Sequence, residues 1–414
     1  MGLSGYLGNI KEILSNKNVL AISFTSGLYG LVQMMWNPFW AKYMKDYLGA
    51  TTTAIGIFSM ISTAEALLFQ LPGGMLADRY GRRNIILFGT LLRTLSPLIY
   101  FLAPSWEWMI LGAMANGTMS LYMPAFNAII ADSLPKNNRG AGYGAYNTIT
   151  NIPMMISPIF GGLAIEYLGY YDGVRIFLII QVLVSLLITF IRWRMIKETV
   201  ETIPQGKRPS LIPKASMINE FPKPIKVMII VAIIGSFSSR LVFDFTSLYA
   251  LEVVKVTPSQ FGLINTVCGF AAVLLALPGG MMSDRFGRKN NIMLGRTVSA
   301  ISQGLISIAS SYQVFFGVRV FNQSAMAIGG SGMEAGGPSW NALIADLVPS
   351  EKRATVLGTM GTMTAVVAAP SSVLGGYLYA LSPQLPFLLS MVVGLFSSIL
   401  FWIKVEEPKK KSLN

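Results

Sequence analysis

The sequence predicts an all-α membrane protein: twelve transmembrane helices in two pseudo-symmetric six-helix bundles, with both termini cytoplasmic. Three observations point there. The 414-residue chain is 53% hydrophobic and only 12% charged, whereas a soluble domain carries roughly 25% charged residues. Apolar runs long enough to cross a bilayer recur along its length. A thirteen-residue motif occurs twice, 206 residues apart. A soluble protein of this size would need far more polar surface, so the surplus of apolar side chains must face lipid.

A membrane helix needs roughly 20 mainly apolar residues. That rule gives spans near 19–43, 53–77, 84–103, 106–131, 140–168 and 173–195. A polar, proline-containing stretch follows at 196–224, and six more spans run near 225–251, 258–283, 290–310, 313–346, 353–380 and 384–404. The expected organisation is therefore an N-terminal bundle over 1–195, a cytoplasmic linker over 196–224 and a C-terminal bundle over 225–414. Residues 1–18 hold no long apolar stretch, so no cleavable signal peptide is expected.

Loop Lys and Arg residues set the orientation. With both termini inside, twenty-four of them fall on the cytoplasmic side, from Lys11 to Lys411 and including Arg192 and Arg194. Only Lys42, Lys45, Arg175 and Lys255 fall on the other side. This asymmetry accounts for the net charge of +13 as a face beside anionic lipid, with no nucleic-acid partner. The single cysteine, Cys268, rules out an intrachain disulfide, and there are no histidines. The commonest metal ligand is thus missing, no cofactor is expected, and proton chemistry falls to Asp and Glu.

The repeat is explicit. Pro72-Gly-Gly-Met-Leu-Ala-Asp-Arg-Tyr-Gly-Arg-Arg-Asn84 recurs as Pro278-Gly-Gly-Met-Met-Ser-Asp-Arg-Phe-Gly-Arg-Lys-Asn290. Pro124–Pro135 recurs as Pro338–Pro349 at an offset of 214, which Gly161-Gly162 and Gly375-Gly376 keep. The eight added residues fit the glycine-rich stretch Gly329–Gly337. Parallel repeats of this kind mark transporters with a substrate site near the midplane. In the motif, small glycines allow close helix approach, Gly81 suits a tight turn, and Asp78 can approach a helix N-terminus.

The loop after the second span, with Gly74, Leu76, Asp78, Arg79, Gly81, Arg82 and Arg83, resembles the signature of the major facilitator superfamily. The copy at Gly280, Asp284, Arg285, Gly287, Arg288 and Lys289 resembles it too, and the resemblance covers essentially the whole chain. It implies the major facilitator fold and no enzymatic activity. It also implies that Arg82 pairs with Asp132 at the end of the fourth span, and by symmetry Arg288 with Asp346. Together with Asp78 and Asp284 these pairs would latch the cytoplasmic side of an outward-facing state.

Charges inside spans are costly and functional by default. Glu65, Asp244 and Glu334 qualify. Glu65 precedes Asp78 by thirteen residues, about 20 Å of helix, which places it near mid-membrane. Burial favours the neutral form of a carboxyl and suits a group that takes and releases protons. Asp244 lies four residues after Arg240, so the two can share a helix face. Glu334 sits among glycines, where a broken helix can turn its backbone to a cavity. Arg93, Arg240 and Arg319 are carboxylate partners or binders of an anionic substrate. Polar and aromatic candidates for a cavity are Tyr29, Gln33, Trp36 and Asn37 in the first span, Asn116, Tyr122 and Asn127 in the fourth, and Asn147, Asn151 and Met154 in the fifth.

The drug:proton antiporter branch of the superfamily carries a Gly-rich signature in its fifth span. Gly144, Pro153, Ser157, Pro158, Gly161 and Gly162 fall on its spacing, with Pro153 and Ser157 in place of two glycines. That branch's fourth-span arginine position reads Ala113 here. An aromatic, Met-rich cavity with few charges fits an amphipathic substrate better than a phosphate. The expectation is a monomeric, multi-pass plasma-membrane transporter that exports hydrophobic or cationic drug-like compounds against protons by alternating access. The alternatives are a symporter or uniporter for a sugar or organic anion and, remotely, a membrane receptor or sensor.

Overall fold

A computed structural model describes residues 16–134, 139–199, 221–329 and 337–405. Among them every regular element is a helix. The first half begins with α1 (Lys17–Trp36), continued through a 3₁₀ turn (Asn37–Phe39) into α2 (Trp40–Tyr47). Then come α3 (Thr52–Tyr80), α4 (Arg82–Leu102), α5 (Trp106–Ser133), α6 (Arg139–Leu168) and α7 (Tyr170–Met195). The second half holds α8 (Lys223–Arg240), α9 (Phe245–Leu248) running into a π-helical turn (Tyr249–Val253), α10 (Pro258–Phe286) and α11 (Arg288–Ser307). It ends with α12 (Tyr312–Gly329), α13 (Pro338–Leu347), α14 (Ser350–Leu381) and α15 (Leu385–Lys404).

Nine helical segments among the described residues are long and apolar enough to cross a membrane. Their outward faces carry large apolar side chains such as Leu68, Leu183, Leu277 and Phe396, each more than half exposed. An exposed apolar surface of this kind suits contact with lipid. Prolines lie inside several helices, Pro72, Pro97, Pro124, Pro153, Pro158, Pro278 and Pro370 among them. Transmembrane helices tolerate them because neighbouring groups re-satisfy the freed carbonyls. The span expected near 313–346, with a break at its glycines, comprises two described helices, α12 and α13. Gly337 at φ +89° opens α13, a backbone state that favours glycine. The intervening 330–336, with the Glu334 candidate, lie outside the described residues.

The chain divides into two compact units: Met1–Ala50 with Ile61–Pro209, and Thr51–Met60 with Ser210–Asn414. In the first, an apolar core gathers Ile22, Ile86, Phe126, Ile129 and Ile130 from α1, α4 and α5. In the second, Ile225, Met228, Ile292, Trp340, Val356 and Phe401 form the counterpart. The outer turns of α3 pack within the second unit: Thr52 Oγ1 donates to the Gly376 carbonyl at 2.8 Å.

Glycines set the same helix crossings in both units. A Cβ on Gly73 would stand 2.0 Å from the Leu121 carbonyl oxygen, and one on Gly279 would stand 2.5 Å from that of Ala327. One on Gly161 would meet the Met35 oxygen at 1.9 Å, and one on Gly375 that of Leu241 at 2.2 Å. These partners sit at the sequence repeat offsets of 206 and 214, so the duplication is one of packing as well as of motif. Gly81 (φ +87°) and Gly287 (φ +95°) turn the chain between the helices of the repeated loop.

Candidate functional site

The repeated loop ends each turn by starting a helix with arginines. Arg82 donates to the Asp132 carboxylate at the end of α5, and Thr199 Oγ1 adds a bond to the same oxygen at 3.2 Å. In the second unit Arg288 donates to Asp346 and to the Ala342 carbonyl. The pairs named from the motif are thus brought together in each half. Arg79 and Arg285 lie over the rings of the next residues, Tyr80 at 5.3 Å and Phe286 at 5.5 Å. Asp284 is exposed, and Gly280 faces open space. Gly74 is helical in α3, and the side chain of Asp78 lies outside the described ones.

Arg83 continues the arrangement. Its guanidinium donates to the carbonyls of Ile196 and Trp193, and its amide to Glu198 Oε2 at 2.9 Å. The segment after α7 is thereby clamped to the repeated loop, with Asn18 holding Lys197 through its backbone at 2.8 Å.

Glu65 projects from α3 and is 6% exposed. Its carboxyl carbon lies 3.0 Å from where a Cβ on Gly117 of α5 would stand, so the missing side chain makes its room. Oε2 has no hydrogen-bond partner among the described residues. A buried polar atom left unpaired costs about 1–3 kcal/mol. Asp244 is likewise buried, at 5% exposure. It stands where α8 ends and α9 has not yet begun, just before the π-helical turn, an irregularity that recurs at functional sites. The Ser59 hydroxyl bonds its carboxyl, while Oδ2 has no partner among the described residues. Arg240 does not close on it as an ion pair among those residues; its guanidinium lies over the Phe243 ring at 5.2 Å.

Two buried arginines meet inside the first unit. Arg93 Nε donates to Asn116 Oδ1 at 3.1 Å and its NH1 to the Tyr122 hydroxyl at 3.2 Å, while the guanidinium stacks on Tyr29 at 3.7 Å. Arg192 donates to Thr25 at 3.0 Å and Thr90 at 2.7 Å, over the Phe126 ring at 5.0 Å. They share a cavity of about 10 Å³ with Tyr29, Thr90, Tyr122 and Ser185. Hydroxyls, an amide and ring faces hold both cations where no carboxylate among the described residues reaches them, an arrangement that aromatic quadrupoles support. Arg192 was expected on the cytoplasmic face. It is 3% exposed instead, because it continues the buried stripe Gln181, Ser185 and Ile188 of α7. That stripe, at spacings of three and four, is the sequence signal for it; Arg194, two residues on, falls on the exposed side.

The second unit repeats the device with the charge on the other helix. Arg296 of α11 is fully buried, donates to Ser397 of α15 at 2.7 Å, and lies over Trp340 at 5.6 Å. Arg319 on α12 has a buried Nε without a partner among the described residues. Of the cavity candidates, Trp36 is buried with its ring 5.8 Å from Tyr100, and Met154 packs against Gly30. Gln33 accepts the Asn37 amide through its carbonyl where α1 turns. Asn127, Asn147 and Asn151 are exposed.

Comparison with known proteins agrees with this architecture. The sequence model of the Major Facilitator Superfamily matches residues 22–254 and 228–414. An uncharacterised MFS-type transporter of Methanocaldococcus jannaschii is 24% identical over 396 residues, covering 93% of this chain and 94% of its own. The multi-drug resistance efflux pump PmrA of Streptococcus pneumoniae is 24% identical over 273 residues, covering 64% of this chain and 67% of its own. A crystal structure of a variant of the nucleoside transporter NupG shares the fold, with a TM-score of 0.77 at 13% identity over 94% of this chain and 100% of its own. With matching repeats, matching crossings and a family match along nearly its whole length, this chain is a member of the major facilitator superfamily of integral membrane transporters.

Proposed function

We propose that the chain is a secondary active transporter of twelve spans, with cytoplasmic termini in a plasma membrane. In this reading it exports hydrophobic or cationic drug-like compounds in exchange for protons by alternating access. The observation that carries the reading is the pair of buried carboxyls, Glu65 and Asp244, each with an oxygen unpaired among the described residues. A carboxyl in such a place exchanges protons more readily than it holds a fixed charge, and with no histidine in the chain it has few rivals for that role. The resemblance to an efflux pump in a relative supports the direction and substrate class. The latch pairs Arg82–Asp132 and Arg288–Asp346 would bias one state over the other, since only contacts that differ between states shift a population.

The organic-anion alternative depends on free guanidinium groups. Arg93 is engaged by Asn116, Tyr122 and Tyr29. Arg319 keeps an unpaired Nε, and it is the group on which an anionic substrate would have to act. Proteoliposomes with a preset pH gradient separate the readings. Addition of a cationic dye is expected to move protons opposite to the dye, and Glu65→Gln is expected to abolish that movement while dye binding persists. Dye transport by the parent with no proton movement sinks the antiport reading, and unchanged coupling in the variant removes Glu65 as the carrier.

A further inference from the structure

Two surface features of the first unit meet at one tryptophan. A groove of about 400 Å³ runs between α4 and α7, lined by Leu87, Phe88, Leu91, Leu186, Phe190 and Trp193. A pocket of about 430 Å³ lies at the ends of the same two helices, lined by Arg83, Trp193, Arg194, Ile196, Lys197 and Glu198. Trp193 lines both, so the apolar groove and the basic pocket adjoin at its ring. Each volume is in the range of about 300–1,000 Å³ that holds a small-molecule ligand.

The charges inside the pocket are unequally committed. Glu198 accepts from the amides of Arg83 and Thr199, at 2.9 and 3.0 Å. The Arg83 guanidinium is spent on two main-chain carbonyls, at 2.8 and 2.9 Å. The side chains of Arg194 and Lys197 are exposed and make no hydrogen bond or ion pair among the described residues. Three cations against one carboxylate leave the pocket positive, and its two uncommitted cations stand at its rim. The Trp193 ring is 57% exposed and Phe190 is 59% exposed, with their centroids 6.1 Å apart. Amphipathic rings of this kind sit where acyl chain gives way to headgroup. Charge asymmetry assigns this end of the bundle to the cytoplasmic leaflet, where anionic lipids reside.

We infer that this composite site binds an anionic phospholipid, one acyl chain in the groove and the headgroup phosphate between Arg194 and Lys197. A zwitterionic lipid satisfies the groove but brings its own cation to a basic pocket. A soluble phosphate satisfies the pocket but leaves the groove unfilled. The site makes no use of the transported substrate, and it stands or falls apart from the direction of transport. It does touch the latch region, since Arg83, the next residue after Arg82, forms its floor.

Native mass spectrometry of the purified full-length chain, titrated with phosphatidylglycerol and with phosphatidylcholine of the same chains, tests it. Phosphatidylglycerol is expected to bind more tightly. An Arg194→Ala, Lys197→Ala double variant should reduce its affinity on the order of fivefold for each charge removed, leaving phosphatidylcholine unchanged. A Lys404→Ala control, at the end of α15, should change neither. Equal retention of the two lipids, an unchanged double variant, or inorganic phosphate that competes as well as the lipid would each overturn the proposal. A measurement on the unaltered chain guards against a misfolded variant. Brominated phosphatidylglycerol should quench the emission component that Trp193→Phe removes, and brominated phosphatidylcholine should quench it less; equal quenching rejects the site.

Discussion

Among the described residues, hydroxyls, an amide and ring faces hold the buried Arg93 and Arg192, and that choice sets what each neighbouring residue is worth. Thr90 both accepts from Arg192 at 2.7 Å and lies at 4% exposure. Replacing it by valine keeps the volume and leaves a buried donor unpaired, at a cost of about 1–3 kcal/mol. Thr94, one turn on, bonds only the Thr90 carbonyl of its own helix. We therefore expect Thr90→Val to lower the thermal unfolding temperature in detergent clearly and Thr94→Val to leave it nearly unchanged; equal shifts would deny Thr90 its role. Residues of this kind were only partly legible. Arg93 stands alone in an apolar run and declares itself. Arg192 stands in Arg-Trp-Arg at the end of a span, where a positive-inside reading absorbs it, and only its helical phase with Gln181 and Ser185 separates it from Arg194. Asp132 is legible through the resemblance of the loop to the superfamily signature, and Asp346 through the repeat that carries the pair into the second half.

Helices here approach one another where a side chain is absent, so the element scale is governed by glycine positions. Gly161 brings α6 onto the Met35 carbonyl of α1, where a Cβ would stand at 1.9 Å. Alanine at that place requires backbone movement and is expected to cost about 1–3 kcal/mol, the usual scale of overpacking. Gly144 lies on the same helix with nothing within 4 Å of its Cβ position. Alanine there is expected to stabilise by about 1 kcal/mol through helix propensity. Thermal unfolding of the two single variants by one method decides the matter, and a loss at both positions would mean that Gly144 serves a moving contact. The helices themselves were legible because hydropathy averages over about 20 residues and tolerates local error. Interruptions were not read so well. The stop between α8 and α9 depends on a few dihedral angles around Asp244, and no composition marks it. The break before α13 was readable only through the glycine excess at 329–337.

At the scale of the whole molecule, two units of one ancestry each carry an arginine–aspartate pair at the same corner. If these pairs act as the proposed latch, Arg82→Asp should impair transport and Asp132→Arg should do the same, whereas the double exchange should recover a substantial part of the rate. Failure of the double variant to exceed either single one would leave the pair as a folding contact only. The same comparison at Arg288 and Asp346 tells whether both corners matter equally. The fold was legible at this scale because duplication writes each constraint twice. The substrate was not, because selectivity rests on which exposed amides and rings line a path, and Asn127, Asn147 and Asn151 have the same composition whether they face cargo or water.

The reversed arginines carry a historical consequence. When a gene has just duplicated, its halves are identical, so Thr90 and Arg296, 206 positions apart, descend from one codon. At that position one half now carries a hydroxyl that receives a cation from the sixth helix of its bundle, and the other a cation that donates to a hydroxyl of the sixth helix. Burying two cations together is tolerated in this fold, since Arg93 and Arg192 already line one cavity of the first half, shared out among hydroxyls, an amide and rings. The path between the two arrangements therefore has a route through a form with both cations, and a reconstructed lineage should show such a form before either modern half.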